Sequence, residues 1–353
     1  MANVPAQMDP HLQGLSYSNE GYLFLCASDL IGRYWSGTLC LFRDGCAAPD
    51  ITQCLTGCQT EGGLNDVRWI TNHKAAVASD SGGLEVWEVN EARDEMRQIS
   101  YNYAHDDAAN SLDLTCDSHA KAVTAGSDGR VFLWDLETNT HIQGYRGHTD
   151  IIWNAACHSV ESNSFVSCSK DGSVLTWDLR QATPASVLKV LSPKPSCVAW
   201  QPGGINICVG TETGGLLLLD GRQGAVLMQS QPHSRFIHQL AFCPNDSTLV
   251  ASVSNDCSVI VTKISTTIQA IYANKEHMDF VRGLCWQPDS TNMLTTCGWD
   301  TKVLAHTLPS HDESSTPIVM ELGSKSPILK DQFSNCHESR EQLTDTKGKT
   351  IID

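Results

Sequence analysis

Hydrophobic and polar positions along this chain fall into one short pattern that returns from end to end. Residues 126–135 read GSDGRVFLWD. Asp128-Gly129 is a dipeptide suited to the positive φ of a tight hairpin turn, and the run from Arg130 to Trp134 alternates as a strand with one face toward a core. Versions of the unit are KDGSVLTWD at 170–178 and DSGGLEVWE at 80–88. With the Trp replaced, they are WSGTLCLFR at 35–43, ETGGLLLLD at 212–220, NDCSVIVTK at 255–263 and WDTKVLAHT at 299–307. Aligned on the Trp position they give Phe42, Trp87, Trp134, Trp177, Leu219, Thr262 and His306, in steps of 45, 47, 43, 42, 43 and 44 residues. That period belongs to four-stranded propeller blades, so the pattern predicts seven blades.

The rest of each repeat agrees. Inner strands are expected at 12–17, 67–70, 111–114, 151–156, 197–200, 237–242 and 281–286, each followed by a strand ending in small residues, the hairpin strand and a weaker outer strand such as 187–190 or 268–272. The fold class expected is all-β: a seven-bladed propeller over residues 1–308 and a polar, disordered tail over 309–353, where Ser, Thr, Lys and Glu dominate without periodicity. A ring of blades must join its ends or leave an edge open. Residues before Leu12 are expected to supply the closing strand, with the apolar patch at 318–322 the alternative.

Composition changes this picture in three places. Hydrophobic residues make up 41 % of the chain, enough for a large core. No apolar run reaches the roughly 18 residues of a bilayer span, and no secretory signal is visible, so a soluble intracellular protein is expected. Fifteen cysteines suggest a disulfide framework until their positions are read: Cys26, Cys168, Cys208, Cys285 and Cys297 sit among small apolar strand residues as core. Cys54 and Cys58 have the spacing of half a zinc site but no second pair, so no metal or other cofactor is expected. The net charge of −16, of which the tail's five basic and eight acidic residues carry only −3, disfavours nucleic-acid backbones as partners and favours basic proteins.

Two constellations carry the residue types of a hydrolase triad: His148, Ser167 and Asp171 beside Trp177, and His105, Thr124 and Asp128 beside Trp134. Further copies occur at His233, Ser252 and Asp256 and at His277, Thr296 and Asp300. An active site is needed once, whereas a buried network tying a turn to its blade is needed in every blade, so these are read as structural and no catalytic residue is assigned.

Differences between repeats point to function instead. The first repeat inserts about six residues between its second and third strands, with Ile31, Arg33, Tyr34 and Trp35 together, and such a loop is expected to project as an interface anchor, the alternative being that Trp35 folds back to cover a blade edge. Phe236 and Phe280, three residues after the turn histidines of adjacent repeats, are expected near the rim of the central channel, where an exposed apolar patch and packing into the core are equally open readings.

The Trp-Asp hairpins with Gly-His or Ala-His turns resemble the WD-repeat family. GRYWSGTLCLFRDGCAAPD at 32–50, VASDSGGLEVWE at 77–88, YAHDD at 103–107, HMDFVRGLCWQP at 277–288 and LTTCGWD at 294–300 resemble, within it, the WD-repeat subunits of the methylosome. The resemblance runs from about Asn3 to Thr307 and leaves the tail without a counterpart. It implies a noncatalytic scaffold that binds a type II protein arginine methyltransferase and presents basic substrates such as histones and Sm proteins, hence snRNP assembly, in cytoplasm and nucleus. No direct contact with nucleic acid or membrane is implied. Arg33, Trp35 and Phe280 match the family's interface positions. A histone-binding WD-repeat adaptor of another chromatin complex remains the alternative.

Overall fold

The computed structural model describes residues 4–31, 34–117 and 121–309. Among them are 27 strands in seven antiparallel sheets built from strands consecutive in sequence, six with four strands and the last with three. This is the seven-bladed propeller that the repeat implied. Residues 310–353, read from the sequence as a tail, lie outside the described residues, and so does the patch at 318–322.

The second strand of each blade explains how sheets can stack face to face. Lys121–Gly126 reads KAVTAG and is buried at every position but the first, because small residues let neighbouring blades approach from both sides. Seven hydrophobic clusters result, one between each adjacent pair of blades. The turn into the third strand needs positive φ, supplied by Gly172 at 91° in the fourth blade but by Thr301 at 62° in the seventh, a conformation that a β-branched residue holds only under strain.

Every inner strand carries a bulge near its start, which slips one residue out of the ladder: Gln13, Asn65, Asn110, Trp153, Ser196, His238 and Arg282. A bulge re-aims its side chain, and these seven together line the axial cavity.

Closure differs from the expectation. Residues 4–10 add no strand to the seventh sheet, because Asp9 is held on the first blade: its carboxylate accepts from Thr38 Oγ1 at 2.6 Å and its amide donates back at 3.2 Å. Among the described residues, side chains join the seventh blade to the first. Tyr17 and Thr295 hydroxyls meet at 2.8 Å, Arg282 donates to Gln13 at 3.0 Å, and Leu12, Leu15 and Cys297 share one core cluster.

Candidate functional site

In the fourth blade Trp177 Nε1 donates to Ser167 Oγ at 2.7 Å. Ser167 Oγ lies 2.7 Å from His148 Nε2, and His148 Nδ1 lies 3.0 Å from Asp171. One proton arrangement satisfies all four: indole to hydroxyl, hydroxyl to imidazole, imidazole to carboxylate. The third blade repeats it with Trp134 to Thr124 at 2.8 Å, Thr124 to His105 at 2.8 Å and His105 to Asp128 at 3.0 Å. Although the connectivity is that of a triad, Ser167 is fully buried and its oxygen already accepts an indole proton, so no substrate can reach it.

Where the sequence changes, the bonding changes in kind. The second blade has Val77 at the hydroxyl position, and Trp87 donates to the buried Glu85 at 2.8 Å, whose carboxyl burial pushes up. No sequence signal beyond an acidic residue in an apolar strand marked Glu85. In the seventh blade His306 stands at the Trp position and reaches Thr296 at 2.8 Å, with Tyr272 at 3.0 Å on its other nitrogen. Burial, reinforced by His277, pushes His306 down to about 4.

The first-blade insert is a continuation of the hairpin rather than an irregular loop. Its second and third strands, Leu23–Ile31 and Tyr34–Phe42, run nine residues each against six in the corresponding strands of the third and fourth blades. Leu30 pairs with Trp35 and Ile31 with Tyr34. Apolar and aromatic residues are strand formers, so the extra sequence zips up instead of bowing out. Trp35 is 51 % exposed. Arg33 lies outside the described residues, as do the side chains of Ile31 and Tyr34.

Phe236 and Phe280 do not form one patch. Each is half-buried in a separate pair: Phe236 against Trp153 at 5.5 Å, Phe280 against Trp299 at 5.4 Å. Phe236 also has the His238 ring at 6.0 Å, and Arg282 lies over Trp299, the partner of Phe280, at 5.0 Å. The residues that open the inner strands are acidic in three blades. Asp107, Asp150 and Asp279 each accept the next amide at 2.7–2.8 Å; Asp107 and Asp279 are exposed and Asp150 is half-buried. No cluster of three or more metal-ligating side chains occurs among the described residues, and no described helix is long and apolar enough to cross a membrane.

This architecture defines a class. Residues 97–135, 139–178, 224–262 and 268–314 match the family model for the WD domain, G-beta repeat. Chains in solved structures of a COPII outer coat vertex on membranes (TM-score 0.76, 19 % identity, covering 91 % of this chain and 92 % of that one) and of the mitotic checkpoint complex (0.69, 17 %, 87 % and 90 %) share the fold. The chain is a WD-repeat propeller. It is 34 % identical over 318 residues to methylosome protein WDR77 of Xenopus laevis, spanning 89 % of this chain and 95 % of that protein. It is 23 % identical over 327 residues to protein valois of Drosophila melanogaster, spanning 87 % and 89 %. The chain belongs to the methylosome protein WDR77 family of WD-repeat proteins.

Proposed function

We propose that this chain is a noncatalytic adaptor that holds a type II protein arginine methyltransferase through the long hairpin of its first blade and presents basic substrates, histones and Sm proteins among them, in cytoplasm and nucleus. The observation that carries the reading is Trp35: a large aromatic residue half exposed on a hairpin whose second and third strands both outgrow those of the third and fourth blades. Exposed indoles of this kind anchor interfaces by filling a pocket on the partner. The family relationship supports the choice of partner, and the carboxylates of Asp107, Asp150 and Asp279 near the starts of three inner strands, with the net charge of −16, support basic substrates.

The test is affinity capture with the full chain, followed by identification of what copurifies. The expected result is a protein arginine methyltransferase retained by wild type and lost from Trp35→Ala at unchanged melting temperature. Capture of other chromatin proteins without a methyltransferase rejects this reading in favour of a different histone-binding adaptor.

A further inference from the structure

Most of the seven bulge residues around the axis perform one repeated task, and Trp153 and His238 depart from it. Asn65 reaches the carbonyl of Ala109 in the next blade at 3.0 Å, and Asn110 reaches that of Ile152 at 2.9 Å. Ser196 does the same to Ile237 at 2.7 Å, and Arg282 Nε joins the last blade to Gln13 at 3.0 Å. Stitching neighbouring blades is thus the ordinary use of this position. His238 does not take part. Among the described residues its buried Nδ1 has no hydrogen-bond partner, nor has Oδ1 of Asn255, which lines the same cavity from the same blade.

Arg282 stands beside them. Its guanidinium lies over the Trp299 ring at 5.0 Å, and among the described residues only its Nε makes a side-chain hydrogen bond. No carboxylate among the described residues lies within ion-pair distance of it, and Asp80 acts on it only from farther away. The acidic groups of the cavity wall are already engaged. Asp66 accepts Arg68 at 2.8 Å and the amides of Val67 and Leu112, and Glu212 accepts the Lys194 amide at 3.2 Å. Across the axis, the Trp153–Phe236 pair forms an aromatic wall. The cavity encloses about 420 Å³, within the range of small-molecule sites.

We infer that the axial cavity is a binding site for a small organic oxyanion with a flat apolar body, its charged end on Arg282, its polar edge on His238 and Asn255, and its ring against Trp153 and Phe236. A guanidinium without a carboxylate partner in a confined space is the donor that such an anion needs, and the two unpartnered atoms give it direction. This site is separate from the first-blade hairpin and does not depend on the adaptor reading.

Calorimetric titration of the full chain tests it, with 3-phenyllactate and phenyl phosphate as probes that carry the oxyanion as carboxylate or as phosphate. Salt of about 0.15 M shortens the screening length to about 8 Å and mutes the rim carboxylates. The expected result is saturable one-to-one binding of at least one probe, weakened tenfold or more by Arg282→Gln and also weakened by Phe236→Ala. Lactate and inorganic phosphate, which lack the ring, should bind at least tenfold more weakly than their ringed counterparts. Binding by both ringless anions as tight as by the probes rejects the aromatic wall and with it the proposal. Absence of saturable binding by either probe means that the cavity holds water alone and overturns it, as does binding unaffected by Arg282→Gln in folded protein. Should Arg282→Gln fail to fold, Phe236→Ala decides: its side chain is half-buried at the mouth, and unchanged binding in that variant overturns the site.

Discussion

The first and fourth blades use their large aromatic residues in opposite directions. In the fourth, Trp177 is buried, stacked on Phe165 at 5.5 Å with the rings parallel to 1°, edge-on to Tyr145 at 5.8 Å, and hydrogen bonded through Ser167 to the turn. Tyr145 comes from the outer strand of the third blade, so this one indole joins two sheets. In the first blade the Trp position holds Phe42, whose ring has no donor to tie to a turn, and the hairpin instead extends past the template and exposes Trp35. The contrast teaches that the shared aromatic position builds the stacking between blades, whereas the departure from the repeat leaves an aromatic ring exposed to solvent.

The comparison fails outright if Trp177 can be removed cheaply. Trp177→Ala is expected to cost about 3–5 kcal/mol, the usual range for emptying a buried aromatic site, and to leave its donor network open. Chemical denaturation should show the loss in the midpoint, while partner capture by the protein that remains folded stays at the wild-type level.

The seventh blade sharpens the comparison, because it replaces the indole with a group that titrates. His306 sits at about 4 when folded, against about 6.5 in an unfolded chain. Its folded value is depressed, so the unfolded state binds more protons between those pH values, and stability falls as pH drops from about 6.5 toward 4. At about 1.4 kcal/mol per unit of difference the loss reaches on the order of 3 kcal/mol at the acid end. His306→Gln, which keeps hydrogen-bonding capacity but cannot charge, should flatten that part of the profile of melting temperature against pH. Trp177 has no such dependence to remove.

From the other side, Trp35→Ala should lose roughly 2 kcal/mol or more of binding to the methyltransferase, about thirtyfold, without a shift in melting temperature. Glu137→Ala, on an exposed turn, is the control that should change neither. If Trp35→Ala melts early and binds normally once folded, the indole packs against its own hairpin, and Phe280 becomes the next residue to test.

How far these differences were legible depended on whether they lay in the repeat or between repeats. The tight-turn residues, the period and the four His–hydroxyl–Asp sets are local or strictly periodic, so the sequence alone predicts the blade and the members of its network. The first-blade insert was legible as an excess of residues, but its shape was not. Whether Leu30 pairs with Trp35 or both bow outward depends on register across the hairpin, which composition does not encode. Closure was misread for a similar reason. An edge strand is the usual solution, but here Tyr17, Gln13 and Leu12 meet Thr295, Arg282 and Cys297 from the far end of the chain. The bulge ring was invisible, since Gln13, Trp153 and Arg282 share no residue type and only the slipped ladder gives them a common place.

The smallest expected effect isolates the polar half of the fourth-blade network from its packing. Burial of Asp171 raises its carboxyl, but hydrogen bonds from the Ser173 hydroxyl and from the amides of Thr149 and Ser173, with the His148 ring beside it, outweigh that and hold it below the usual carboxylate value. Asp171→Ala removes the acceptor from His148 Nδ1 and from those amides. The carboxylate lies at the edge of the turn, 12 % exposed, so water reaches some of the abandoned donors, and the cost belongs at the low end of the usual range, about 1 kcal/mol. The pH dependence supplies a second reading of the same variant. Because the folded value is depressed, the contribution of Asp171 is complete above the unfolded carboxylate value of about 4 and is lost as pH falls through the folded one. The gap in melting temperature between wild type and Asp171→Ala should therefore be constant near neutrality and narrow below about pH 4. A variant as stable as wild type at pH 7 would show that Trp177 and its ring neighbours hold the blade without the turn. It would also leave the repeated His–Asp pair without the structural role assigned to it.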